Sequence, residues 1–262
     1  MVRSEDNADA ADAADAADAR LVGSDRVLAL LIELARRPDG ASLDDLAVAV
    51  DSAKSTVHRA LGSLTRSGLA KRESLGRYAV GDEFLRLAFA YQESRPEAAR
   101  VMPALRQLAE RFGEIAHYAV LEGGDVVYRA KVDPAAGSIR LTSYIGGRNP
   151  ARATAMGKAI LAQHLSTTAE AVQWAGDHPV EQRTPRTLTS DTQWAEDIAR
   201  VREQGFAVDD QENEPGINCI AVRVVTPSGE GALSVSALAY RTPLSTLIDA
   251  VDELRAVAAS IL

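Results

Sequence analysis

The sequence has one cysteine, no long apolar run and no basic excess, and each lack removes a class of protein. Cys219 stands alone among 262 residues, so no internal disulfide framework exists and a reducing compartment is expected. The four histidines, His58, His117, His164 and His178, stand at no ligand spacing with it, so neither a metal nor a cofactor is expected. No apolar stretch is long enough to span a bilayer, and the N-terminal residues are acidic where a signal peptide is basic and then apolar. This predicts a cytoplasmic protein without membrane contact. Catalytic patterns are missing as well. Gly157-Lys158 lacks the upstream glycine and following hydroxyl residue of a phosphate loop, and no Gly-x-Ser-x-Gly elbow occurs. An enzyme built on Cys219 as nucleophile is the alternative. It would need His117 or His164 as base and an orienting carboxylate, and no local sequence ties them together, so no catalytic residue is expected.

The net charge of −8 argues against nucleic acid until it is divided along the chain. Residues 1–19 set Arg3 against Glu5, Asp6, Asp9, Asp12, Asp15 and Asp18. Residues 54–77 set Lys54, Arg59, Arg66, Lys71, Arg72 and Arg77 against Glu73 alone. Exposed charges are screened beyond about 8–10 Å at physiological salt, so a local basic stretch is what meets phosphates.

Residues 1–23 read as a disordered acidic tail, because the Ala-Asp-Ala repeat offers no large apolar anchor. A DNA-binding domain is expected over 24–81. Val27, Leu30, Leu31 and Leu34 mark a first helix. Ser42 with Asp45 is close to a capping box ahead of a second helix, through Leu43, Leu46, Ala47 and Val50. Ser52–Leu69 then reads as the probe helix, with Ser52 as N-cap and Gly68 at its end. Its apolar stripe is Val57, Ala60, Leu61 and Leu64. The opposite face carries Lys54, Ser55, Thr56, Arg59, Ser63 and Arg66, groups suited to phosphates and base edges. Two short strands around Ser74-Leu75-Gly76 form a hairpin carrying Lys71, Arg72 and Arg77. Three helices and a basic hairpin make a winged helix-turn-helix layout, with a purely structural three-helix domain as the alternative.

Residues 82–95 read as a linker helix, with the helix itself over 82–93 and broken at Arg95-Pro96, that is apolar on more than one side: Phe84, Leu87, Ala88 and Tyr91 lie on one face, Leu85 and Phe89 near the other. Such a helix needs burial by something beyond its own domain, and a second subunit would serve. Residues 96–262 read as one α+β unit, an antiparallel sheet flanked by helices. A helix is expected over 96–112 with Pro103 inside it, a hairpin around Glu122-Gly123-Gly124-Asp125, and a strand over 139–145. A loop over 146–150 follows, then helices over 154–164 and 193–204, strands over 219–225 and 232–238, and a closing helix over 245–261. The start of the 154–164 helix suits a carboxylate, Gly157 would admit a ligand closely, and Ser234 and Ser236 share one strand face.

Three blocks resemble the IclR-type family of bacterial transcription regulators. Lys54-Ser55-Thr56-Val57-His58-Arg59 with Gly68-Leu69 is similar to that family's recognition helix. Arg148-Asn149-Pro150-Ala151 and Ala153–Ala159 are similar to the motif ahead of its ligand-pocket helix. Gly205, Asp209, Glu212, Gly216 and Cys219-Ile220-Ala221 follow the spacing of its signature, which departs at Val225 and Thr226. The resemblance implies a GAF-like effector-binding domain, adds His58 to the DNA-facing residues, and implies an effector pocket of Ala155, Gly157, Asp209, Cys219, Ser234 and Ser236. Each of these has a plainer reading as packing, turn capping or solvated hydroxyl. The resemblance further implies a repressor that senses a small organic acid and acts as a homodimer or dimer of dimers on a double-stranded DNA operator. A protein-binding adaptor would leave the basic residues of 54–77 unexplained.

Overall fold

The computed structural model describes residues 23–94, 96–134, 143–227 and 229–261, which fall into two compact units divided after Ser94. The expected acidic tail lies outside the described residues except for Gly23, which belongs to the first helix.

In the first unit, α1 (Gly23–Ala35), α2 (Leu43–Ala49) and α3 (Lys54–Arg66) pack with a hairpin of β1 (Ala70–Arg72) and β2 (Tyr78–Val80). The core holds Leu30, Leu34, Leu46, Val57, Leu61, Leu64 and Tyr78. The four apolar positions expected on the probe helix are its four buried residues. Ser42 and Asp45 close both bonds of a capping box, aspartate serving where glutamate is usual. At the end of α3, Leu69 N–H reaches Leu64 O (2.9 Å) and Gly68 N–H reaches Thr65 O (3.1 Å), a Schellman motif that halts the helix. The start of α3 departs from expectation. The helix begins at Lys54 with Ala53 as an N-cap that makes no side-chain bond. Ser52 Oγ instead accepts from Arg26 Nε (2.8 Å) and donates to Val50 O (3.1 Å), tying the α2–α3 link to α1. After β2, α4 spans Asp82–Glu93.

The second unit opens with α5 (Pro96–Phe112), which runs through Pro103. Its sheet is wholly antiparallel, in the order β5-β4-β3-β8-β7-β6. The strands are β3 (Ile115–Glu122), β4 (Asp125–Val132), β5 (Arg148–Pro150), β6 (Ala207–Asp210), β7 (Ile217–Thr226) and β8 (Gly229–Leu238). The helices α6 (Ala155–His164), α7 (Thr168–Asp177) and α8 (Asp191–Gln204) share one core with one sheet face. The helices α9 (Leu244–Asp249) and α10 (Val251–Ala259) join α5 against the other. The alternation along β7 shows the division: Ile220, Val222 and Val224 face α5 and α10, while Cys219 and Ala221 face α6.

Several expected elements change. The strand expected over 139–145 lies partly outside the described residues, and 143–145 are not extended into a strand. The edge strand is Arg148–Pro150, in the expected loop, where Pro150 is tolerated because an edge position needs fewer ladder donors. The closing helix breaks at Ala250 (φ −97°, ψ 12°), dividing α9 from α10. The helix α7 and strand β6 are additions. Thr167 and Glu170 form a capping box at the start of α7, a pattern present in the sequence.

Candidate functional site

On α3, Ser55, His58 and Arg59 stand exposed and Thr56 half-exposed, with no carboxylate on the helix. Neither His58 nor Arg59 makes a side-chain hydrogen bond among the described residues, so their donors face solvent. Lys54 Nζ lies 2.8 Å from Asp44 Oδ2, both groups well exposed, a pairing worth little in water. Arg66 donates to Ser63 Oγ (3.0 Å). On the hairpin, Lys71 Nζ is 3.8 Å from carboxylates of Glu73 and Asp82, and Arg72 is exposed. Arg77 differs from its expected phosphate role: Nη2 donates to Gly40 O (2.7 Å) and Nε to Asp39 O (3.3 Å), so its guanidinium braces the hairpin stem.

In the second unit, sheet register assembles the expected pocket residues across the α6 face. Asp209 lies opposite Cys219, and Cys219 opposite Ser236; in the next row, His117 lies opposite Ser234. Cys219 Sγ donates to Ser236 Oγ (3.1 Å), which lies 3.4 Å from His117 Nδ1. His117 Nε2 is 2.8 Å from Ser143 Oγ. Ser234 Oγ is buried without a hydrogen-bond partner among the described residues. Thr154 caps α6 by accepting from Gly157 N–H (3.1 Å), which leaves the N–H groups of Ala155 and Met156 ahead of the first intrahelical bonds. Gly157 is glycine for a reason other than ligand access. A Cβ there would stand 2.2 Å from Ala151 O, so the chain's own backbone fills that space.

Beneath these residues lies a charge cluster that the sequence did not signal. Lys158 is fully buried, with Nζ 2.7 Å from Glu212 Oε1 and 2.8 Å from Asp197 Oδ2, and Asp197 also accepts from Arg200 (2.6 Å). Burial opposes the charge on Lys158, yet the two carboxylates outweigh it and hold its proton more firmly than usual. Asp209 pairs directly with no cation among the described residues, and the Lys158 charge offsets its burial only in part. Burial first and the Glu212 charge second push its carboxyl up to about 7, although its Oδ1 accepts N–H bonds from Glu212 (2.6 Å) and Asn213 (3.3 Å). Burial, helped by the neighbouring Lys131 charge, lowers His117 to about 3 and keeps it neutral. Burial, then the Asp209 charge, pushes the Cys219 thiol well up. A neutral thiol beside a neutral imidazole that already shares its nitrogens is not an activated nucleophile. Asn149 Nδ2 donates to Tyr128 OH (3.1 Å), and the Tyr128 ring lies 5.0 Å from His117. His117 entered the sequence reading as a possible base and Tyr128 did not enter it, because strand pairing, which sets His117 opposite Ser234 and Tyr128 opposite Ala119, brings them to one sheet face.

Arg152, just before α6, is also buried. Its guanidinium donates to the carbonyls of Ala175, His178, Leu188 and Thr189, pairs with Asp191 (2.9 Å) and lies over the Trp194 ring. Trp194 Nε1 returns a bond to Arg152 O (3.1 Å).

Two family models match this architecture: the IclR helix-turn-helix domain over residues 24–74 and the bacterial transcriptional regulator IclR C-terminal domain over residues 90–262. The chain belongs to the IclR family. The HTH-type transcriptional regulator BhcR of Paracoccus denitrificans is 32% identical over 235 residues, covering 87% of this chain and 83% of that protein. A putative transcriptional regulator of Rhodococcus, RHA06195, superposes with a TM-score of 0.75 at 29% identity, covering 90% of this chain and 94% of that one. A double mutant of the inducer-binding domain of the PobR transcription factor from Acinetobacter, in complex with 3-hydroxybenzoic acid, covers 63% of this chain and 96% of its own at 26% identity and a TM-score of 0.56. As an IclR-family member the protein is a DNA-binding transcription regulator and not an enzyme. Its C-terminal unit is the family's effector-binding domain. No helix among the described residues is long and apolar enough to cross a membrane.

Proposed function

We propose that this IclR-family regulator is a cytoplasmic repressor that releases or grips its operator in response to a small organic acid. Its segments are a DNA-binding domain over 24–81, a linker helix over 82–95 and an effector domain over 96–262. Thr56 and Arg59 read base edges in the major groove, with Lys54, Ser55, His58, Ser63 and Arg66 around them and Lys71 and Arg72 on phosphates. The effector pocket lies between the start of α6 and the row Asp209, Cys219, Ser236. The observation that carries the acid reading is the buried, unpartnered Ser234 hydroxyl on that sheet face, which α6 covers. A carboxylate placed there would meet a hydroxyl donor, the free N–H groups of a helix N-terminus and, in its protonated form, Asp209. The 3-hydroxybenzoic acid held by the PobR domain is a molecule of this kind.

The exposed apolar side chains of α4 support the dimer reading. Leu85, Leu87, Phe89 and Tyr91 are 46–66% exposed along one 12-residue helix. Leu85 and Phe89 lie on one side of the helix and Leu87 and Tyr91 on the other, so a second α4 would cover one of these pairs. Two α3 helices in one dimer would meet a roughly palindromic operator about one helical turn, ~34 Å, apart. The test is to enrich duplexes from a random-sequence pool and to titrate the complex with small oxo-, hydroxy- and aromatic acids while following fluorescence anisotropy. An enriched palindrome whose complex responds to one of these acids is the expected result. A duplex without dyad symmetry sinks the dimer reading, and indifference to every acid at millimolar concentration sinks the effector reading.

A further inference from the structure

The hairpin tip breaks two local rules at once. Leu75 is 97% exposed, more than any other large apolar side chain among the described residues. It also adopts φ 62° and ψ 21°, followed by Gly76 at φ 73°, two successive left-handed residues of the kind a type I′ turn requires. Asparagine, aspartate or glycine suits the first of those positions; leucine brings a backbone cost there and an apolar side chain in water. Neither choice helps the free protein.

The surroundings say what the side chain meets. Lys71 and Arg72 stand exposed on the stem just behind the tip. Arg77 holds the stem to the Asp39 and Gly40 carbonyls, and Ala41 and Tyr78 exchange backbone bonds of 2.8 Å each, so the tip projects from a braced base. An apolar point with two exposed cations, Lys71 and Arg72, and one carboxylate, Glu73, beside it has a net positive setting that complements a groove with anionic rims and an apolar, stacked floor. Duplex DNA is the polyanion that this helix-turn-helix unit binds as an IclR-family domain. Its minor groove has such rims, and apolar side chains that enter it pry base steps apart.

We propose that Leu75 is a wedge that enters the operator's minor groove and partly unstacks one base step beneath each wing. The wing then adds sequence preference through the ease of deforming that step, highest for pyrimidine–purine steps, without hydrogen-bonding any base.

The probe is a duplex enriched by the wild-type protein from a random-sequence pool, carrying 2-aminopurine at successive positions. Wild type should brighten the fluorescence at one step under the wing. Leu75→Gly and Leu75→Asn fit the left-handed backbone, so both should melt at least as high as wild type. Both should bind the enriched duplex about tenfold more weakly, lose the fluorescence signal and bind unselected duplex as before. Leu75→Met should recover most of the affinity. Unchanged affinity of Leu75→Gly for the enriched duplex, or a silent 2-aminopurine scan with wild type, overturns the proposal. So does a change in self-association at unchanged duplex affinity, which would assign the tip to a second copy of the chain. Failure to enrich any duplex overturns it together with the operator reading.

Discussion

The exposed face of α3 and the buried face under α6 draw on similar residues, lysine, arginine, serine and histidine, and use them in opposite ways. On α3, His58 and Arg59 stand in water with their donors unspent, so the helix gives up nothing in its own fold if either is changed. Under α6, Lys158 is fully buried and its ammonium is committed to Asp197 and Glu212, so the fold rests on these groups. A binding face that waits for a polyanion can be free of structural duty. A pocket that excludes water has its polar groups satisfied from inside, or held in reserve as Ser234 is.

The sharpest way to break this contrast is Lys158→Ala. Removing the ammonium strands the Glu212 carboxylate in the interior and leaves Asp197 with Arg200 alone, at a cost of about 3–5 kcal/mol. Calorimetry should show the second unit losing most of its stability; a loss below about 1 kcal/mol would mean that water reaches the cluster. Next comes Asp209. Its carboxyl titrates at about 7 when folded against an ordinary 3.8, so between those values the folded chain binds the extra proton. Stability contributed by this group is therefore present below about pH 4 and falls as pH rises to 7, with a slope of at most about 1.4 kcal/mol per unit. Asp209→Asn should flatten the denaturant-midpoint profile over that window and gain stability at pH 8. An unchanged slope would assign the titration to another group. The smallest effect on the fold, and the largest on recognition, belongs to Arg59→Ala. The melting temperature should stay put while affinity for the enriched duplex drops by about 1–3 kcal/mol, with little loss on unselected duplex. Equal losses on both duplexes would make Arg59 a phosphate contact.

Legibility in the sequence followed the same division. The stripe of Val57, Ala60, Leu61 and Leu64 is written at a 3.6-residue period, so the probe helix could be read directly. Asp82–Glu93 and Pro96–Phe112 matched their expected bounds because Asp82 and Pro96 mark their starts. Ser52 misled because its hydroxyl had two suitors, and Arg26, 26 residues upstream, won it from the helix. The Lys158 cluster draws on residues 39 and 54 positions away, one on α8 and one in the turn between β6 and β7, and no local period encodes such a meeting. The row Asp209, Cys219, Ser236 was reached through family spacing; its physical cause, strand register across β6, β7 and β8, becomes visible only with the sheet assembled. The strand β5 was read as a loop because Gly146-Gly147 and Pro150 dominate its surroundings, while its pairing with Val126 and Val127 is non-local.

Arg152 carries a consequence for how a signal leaves the pocket. One guanidinium rivets the entrance of α6 to the end of α7, the 188–189 strip and the beginning of α8, and the Trp194 indole closes the joint from the other side. A shift of the first turn of α6 would strain the bonds to α7, the 188–189 strip and α8 at the same time, because one side chain makes them all.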